Sequence, residues 1–95
     1  MNLYSTPDIC LSVAHAAREA RLRMNLSRES LSMRSGVPEP SIKRFELTGE
    51  ISLKSLVSIA MVLSAELEFL NLFAGEKTPS IDEIVNAKSR KRGRK

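Results

Sequence analysis

The residues of this sequence that could carry covalent or metal chemistry are few. There is one cysteine, Cys10, and one histidine, His15. Together they supply at most two of the three or four protein ligands that a zinc site needs. With a single histidine, no convincing Ser-His-Asp constellation is available for nucleophilic catalysis. We therefore interpret both residues as structural, and predict that the chain is not an enzyme and holds no metal or cofactor.

The chemistry that the sequence does offer lies in its cationic side chains, which form two zones. Residues 18–46 carry seven basic and four acidic residues, and residues 88–95 carry six basic residues and no acidic one. Residues 47–87 carry two basic and six acidic residues. Because the acidic stretch would repel phosphate, the pattern predicts that one face of the domain meets a polyanion such as DNA and another does not.

Size and composition favour one small all-α domain. The 95 residues suffice for one modest core, and the 42% of hydrophobic residues include no tryptophan and only four aromatic residues. The longest apolar stretch, residues 56–72, is broken by polar side chains, so we expect no membrane span. A lone cysteine and the lack of a signal-peptide pattern favour a reducing cytoplasm.

The first predicted helix begins at Thr6-Pro7-Asp8, with Thr6 as its cap, and runs to about Met24. Four apolar residues at helical spacing predict its buried stripe, and the arginines at 18, 21 and 23 fall outside that stripe. The predicted stripe consists of Val13, Ala17, Ala20 and Met24. We expect the arginines, like Arg34, to be ordinary solvated charges.

Two short helices follow, separated by a tight turn. Ser27 is a cap for a helix that ends before Gly36, and Pro38 and Pro40 fit only the first turn of a third helix, from Glu39 to about Leu47. In this third helix, Ile42 and Phe45 are three residues apart and are assigned to core packing.

The remainder divides into two more helices and a C-terminal extension. Ser52 caps a fourth helix, whose inner face is predicted to carry five apolar residues, and a fifth helix covers Glu66 to Phe73. The inner-face residues are Leu53, Leu56, Ile59, Ala60 and Leu63. The predicted domain is residues 1–75. Residues 76–95 are read as a linker, a short helix starting with the capping box at 80–83, and a basic disordered tail.

The stretch from Ser27 to Leu47 has the arrangement of a helix-turn-helix, in which a tight turn places the second helix in a major groove. The segments ARLR, NLSRESLS, RSGV, SIKRFE and SLKSL start at residues 20, 25, 34, 41 and 52. In order and spacing they resemble the Xre/Cro/phage-repressor helix-turn-helix family, over residues 12–73. The resemblance implies a compact five-helix domain whose second and third helices read double-stranded DNA.

A narrower resemblance rests on weaker motifs. The stretches 44–46, 48–50, 70–73 and 80–83, followed by a basic end, look like small HipB-like antitoxins encoded beside HipA-like kinase toxins. This resemblance implies an antitoxin of a type II toxin-antitoxin operon that represses its own transcription. The expected location is then the bacterial cytoplasm, in association with the nucleoid.

Carried onto this sequence, the family's pattern implies two sets of DNA contacts. The base-contacting residues are Glu39, Ser41, Lys43 and Arg44. The phosphate-contacting residues are Ser27, Arg28 and Arg23. The sequence departs from the pattern at Pro38, where a capping Ser or Thr is usual, and at Glu39 and Pro40, where polar or basic residues are common. Glu39 would repel phosphate unless it accepts a hydrogen bond from a cytosine amino group.

Two further features bear on partners. The apolar residues Phe69, Leu70, Leu72 and Phe73 exceed what one stripe of a short helix needs, so they predict a homodimer interface or a fold over the core. A dimer of this kind would select an inverted-repeat operator. The basic tail is open to three interpretations: a solubilising end, a clamp along DNA phosphates, or a segment bound by an acidic partner. The rival function is inhibition of a HipA-like toxin kinase, with DNA binding secondary.

Overall fold

A computed structural model of the chain describes residues 3–75. Within this range the chain forms five α-helices and no strand, which confirms the all-helical prediction for the described part. The helices are α1 (Thr6–Arg23), α2 (Arg28–Ser35), α3 (Glu39–Thr48), α4 (Leu53–Val62) and α5 (Glu66–Leu70). None of these helices is long and apolar enough to cross a membrane. The predicted helix at Ser80 and the basic tail lie outside the described residues.

Helix α1 is capped by Ser5 rather than by Thr6, so the predicted cap is wrong. The backbone N–H of Asp8 donates to Ser5 Oγ at 3.2 Å, and the backbone N–H of Ser5 donates to Asp8 Oδ2 at 3.1 Å. This reciprocal pair is a capping box, which satisfies two backbone donors where a single Thr6 cap would satisfy one. The far end is as predicted, since Met24 is the C-cap.

The buried face of α1 also differs from the predicted stripe. Val13 and Met24 are exposed, whereas Ala14 and Arg21 are buried and Ala17 is half-buried. Positions 14, 17 and 21 are also at helical spacing, so the same periodicity allows either face. The buried face is the one on which the small Ala14 lets α1 approach α3 closely and on which Arg21 bonds to Glu46.

The connection between α2 and α3 follows the prediction closely. Ser27 caps α2 by accepting the backbone N–H of Ser30 at 3.0 Å, and the helix ends at Gly36, whose φ of 79° is left-handed. Only residues 36–38 separate the two helices. Pro38 is the N-cap of α3 and makes no side-chain cap bond, as expected for a residue without a side-chain acceptor.

The core lies where α1, α2, α3 and α4 meet. Its buried members are Ala14, Leu31, Val37, Ile42, Phe45 and Ile59. Burial of Ile42 and Phe45 confirms their assignment to packing. The C-terminal end of α3 lies directly against α1: a Cβ at Gly49 would be 2.9 Å from the backbone carbonyl carbon of Cys10.

Helices α4 and α5 partly match the prediction. Ser52 caps α4 as expected, accepting from the backbone N–H of Ser55, and Ile59 and Ala60 are buried. Leu53, however, is exposed, so its assignment to the inner face is wrong. It is the first residue of α4, ahead of the turns that pack on the core. Helix α5 ends at Leu70 rather than at Phe73, and none of its residues is fully buried.

Candidate nucleic-acid interface

Helix α3 has one buried face and one exposed face. Ile42, Phe45 and Glu46 are buried, at the i, i+3, i+4 spacing of a single helical stripe. The four residues implied as base contacts are all exposed. They are Glu39, Ser41, Lys43 and Arg44. The helix is therefore anchored by one side and presents polar and cationic groups on the other.

The anchor includes a buried cluster of three charges. Arg21 of α1 donates from Nε to Glu46 Oε2 at 2.8 Å and from Nη2 to Glu46 Oε1 at 3.1 Å. Its remaining terminal nitrogen donates to the backbone carbonyl of Leu26 at 2.8 Å. Arg28 of α2 donates from Nε to Glu46 Oε1, also at 2.8 Å. One carboxylate thus joins α1, α2 and α3.

The charge of Glu46 is maintained by these arginines. Burial raises the pKa of this carboxyl, but the hydrogen bonds and positive charges of Arg21 and Arg28 outweigh burial and hold the pKa below its usual value of 4.5. Two guanidinium groups and one carboxylate leave the cluster with one net positive charge. Among the described residues no buried side-chain nitrogen or oxygen lacks a hydrogen-bond partner, so every buried polar atom of the cluster is satisfied.

Arg28 is the member of the cluster that reaches solvent. Its side chain is 30% exposed, against 7% for Arg21 and 2% for Glu46. It is the first residue of α2, directly after the cap Ser27, whose hydroxyl also donates to Ser30 Oγ at 3.1 Å. The first turn of a helix presents backbone N–H groups and positive dipole to an anion. Arg28 therefore adds a guanidinium to a helix end that already favours phosphate.

Two of the predicted base contacts lie beside a polar cleft between α3 and α4. Ser41, Arg44, Glu50, Ile51, Ser52 and Ser55 line this cleft, which has a volume of about 320 Å³. Arg44 Nη2 donates to Glu50 Oε1, and both side chains are mostly exposed. In this arrangement Glu50 competes for the guanidinium that the family pattern assigns to DNA bases.

Arg23, the third predicted phosphate contact, lines a larger, apolar cleft of about 680 Å³ between α1, α4 and α5. The predicted dimer residues divide around this cleft. Phe69 and Leu72 line it, Leu70 is half-buried, and Phe73 is 99% exposed. The phosphate contact of Arg23 and the dimer contact of these residues stay predictions.

The roles of two residues, Arg21 and Glu46, differ from the prediction. Arg21 was expected to be solvated, which is wrong, and Glu46 was assigned no role. A signal was present for each, because Arg21 continues the stripe of Ala14 and Ala17, and Glu46 continues the stripe of Ile42 and Phe45. A charged residue at a buried position of one helix predicts an opposite charge at a buried position of another.

Comparison of the chain with protein-family models, with curated proteins and with solved structures gave no match. Function is therefore inferred from this chain's own residues, charges and geometry.

Proposed function

We propose that this chain is a sequence-specific regulator that binds double-stranded DNA through a helix-turn-helix of the Xre/Cro type. In this proposal α2 and α3 form the motif and α3 enters the major groove. The observation that carries the proposal is the three-residue connection at Gly36, followed by a helix that buries Ile42, Phe45 and Glu46 and exposes Glu39, Ser41, Lys43 and Arg44. A recognition helix needs this combination of a firm anchor and a polar outer face.

Affinity and specificity come from different residues. Arg28 and the first turn of α2 bind backbone phosphate, which is sequence-independent and salt-dependent. Lys43 and Arg44 donate to guanine O6 and N7. Ser41 has a hydroxyl, which can bond to a donor or to an acceptor on a base edge. Glu39 accepts from a cytosine amino group. Exposed Leu47 lies three residues beyond Arg44 on the same face of α3 and is suited to contact a thymine methyl group.

The proposed regulator acts as a homodimer. The apolar cleft between α1, α4 and α5, which Leu72 lines, and the exposed Phe73 form the proposed interface. A two-fold dimer spaces its two recognition helices roughly 34 Å apart, about one turn of DNA, and so selects an inverted repeat. Binding at its own promoter would exclude polymerase, which would make the chain an autorepressor; if it also neutralises the toxin of its operon, it is an antitoxin.

The second candidate function is inhibition of a HipA-like toxin kinase, with DNA binding secondary. The observation in its favour is the same apolar cleft, since a 680 Å³ groove lined mainly by aliphatic residues can also receive a partner protein. A larger kinase that co-purifies with the chain would support this function. A dimer that forms without any partner and closes the cleft would argue against it.

The test is fluorescence anisotropy on the DNA upstream of the coding sequence, with scrambled duplex as competitor, at two salt concentrations. Arg44→Ala should lose preference for the specific duplex, whereas Arg28→Ala should weaken binding to both duplexes alike. Arg34→Ala is the matched control, because Arg34 is an exposed arginine at the far end of α2. Binding that excess scrambled duplex removes easily would reject an operator-specific regulator. Equal loss on both duplexes for Arg44→Ala would reject base readout by Arg44.

A further inference from the structure

Glu46 does not need Arg28 for its own neutralisation. Arg21 already meets both carboxylate oxygens, through Nε at 2.8 Å and Nη2 at 3.1 Å, in a fork-to-fork pair. Arg28 approaches Oε1 as a second donor, from the solvent side of the cluster. A second arginine on a paired carboxylate adds a positive charge that the fold does not require for balance.

The manner in which Arg28 is held leaves the rest of its guanidinium available. Only Nε bonds to Glu46, and the two terminal nitrogens donate no hydrogen bond to any residue between 3 and 75. A guanidinium has five N–H donors in a planar fork, so fixing Nε also fixes the direction of the other four. Arg28 is therefore a charged group whose orientation is determined by a buried residue of α3.

We infer that Glu46 is a positioning residue for DNA binding, which holds Arg28 by Nε so that its terminal nitrogens face a backbone phosphate at the start of α2. This inference rests on the proposed function. Holding the side chain before binding reduces the rotamer freedom that Arg28 loses when it meets DNA. The gain expected from such preorganisation is about two- to tenfold in affinity.

The charge of Glu46 alone predicts the opposite effect. A carboxylate near DNA repels phosphate, so Glu46→Gln should tighten binding if charge is all that matters. If Glu46 positions Arg28, Glu46→Gln should weaken binding in spite of the lost negative charge. In an Arg28→Ala background the same change should no longer weaken binding, because the residue through which it acts is gone.

The experiment measures binding of the full chain to a random-sequence 24-base-pair duplex by anisotropy, over a range of salt concentrations. Arg28→Ala should lower the affinity and reduce the salt slope by about 0.9. Arg28→Lys keeps the charge and leaves the Arg21–Glu46 pair intact. A single ammonium cannot bond Glu46 and phosphate in the same forked geometry, so we expect a two- to tenfold loss. Arg34→Lys, the same exchange at the other end of α2, should bind as the parent does.

Each outcome has a distinct meaning. Failure of the parent chain to bind either this duplex or its upstream DNA would overturn the proposed function itself. If the parent chain binds and Arg28→Lys has the same affinity as Arg34→Lys, the positioning role is overturned and the proposed function stands. Tighter binding by a folded Glu46→Gln would also overturn it. If Glu46→Gln does not fold, as its circular dichroism would reveal, the Arg28→Lys comparison decides.

Discussion

The contact between α3 and α1 at Gly49 gives a stability prediction with a built-in control. Gly36 and Gly49 both end a helix in the left-handed region, at φ of 79° and 81°, so an alanine at either position meets the same backbone strain of about 1–2 kcal/mol. Their surroundings differ. A Cβ at Gly36 meets nothing within 4 Å, whereas a Cβ at Gly49 would lie 2.9 Å from the carbonyl carbon and 3.0 Å from the Cβ of Cys10.

Because the atoms facing Gly49 include backbone of α1, the clash cannot be relieved by a rotamer change. Overpacking of this kind costs about 1–3 kcal/mol. We therefore expect Gly49→Ala to lower the free energy of unfolding by that amount more than Gly36→Ala does. Strain and the change in the unfolded chain are common to both variants and cancel in the difference.

The assay is urea unfolding followed by circular dichroism at 222 nm. With an m value of about 1 kcal/mol per molar for a domain of this size, the midpoint of Gly49→Ala should lie about 1–3 M below that of Gly36→Ala. Gly49→Ala should also impair DNA binding more, since it pushes the end of α3 away from α1. Equal midpoints for the two variants would refute the close approach of α1 and α3 at this position.

Three further predictions follow from the charges and the exposed apolar residues. The pKa of Glu46 is lower in the folded chain than its usual 4.5, so its ion pairs stabilise fully above that pH and their contribution is lost as the pH falls through the folded-state pKa. Glu46→Gln should therefore be less stable than the parent chain at pH 7. Between pH 7 and pH 3 the variant should lose less free energy of unfolding than the parent loses, as measured by urea unfolding at each pH. Glu50→Gln should free Arg44 and tighten operator binding by up to about fivefold, in line with the 0–1 kcal/mol of an exposed ion pair; weaker binding would contradict this competition. Phe73→Ser should shift the proposed dimer to a monomer in sedimentation analysis and leave its helicity unchanged. Met33→Ser, at another exposed apolar residue, in α2, should change neither the association state nor the helicity.

The features predicted correctly from the sequence are those determined by near neighbours along the chain. Ser27, Gly36 and Ser52 act within four residues of themselves, as caps or as a left-handed helix end, and Pro38 restricts only its own turn. The boundaries of α2 and α3 follow from these residues. The exposure of the implied base contacts follows in turn from the burial of the opposite face of α3.

The wrongly predicted buried face of α1 depends on residues far away in sequence. Periodicity in α1 allows two neighbouring stripes, and the choice between them is made by α3, which α1 packs against. The preference for Val13 and Met24 over Arg21 followed hydrophobicity, which treats an arginine as solvated. Arg21 is buried because Glu46, 25 residues later, supplies a carboxylate at bonding distance.

The buried ion cluster also explains why α3 is held in one orientation. Apolar contacts through Ile42 and Phe45 are non-directional and tolerate small slides and rotations of the helix. The hydrogen bonds of Glu46 are directional. They are costly to break, because a buried carboxylate that loses a partner costs about 3–5 kcal/mol. Rotation or translation of α3 by an ångström or two would break bonds of 2.8 Å to Arg21 and Arg28 together. The groups on the outer face of α3 are thereby fixed relative to α1 and α2, and such fixation is what a helix needs to distinguish one base edge from another.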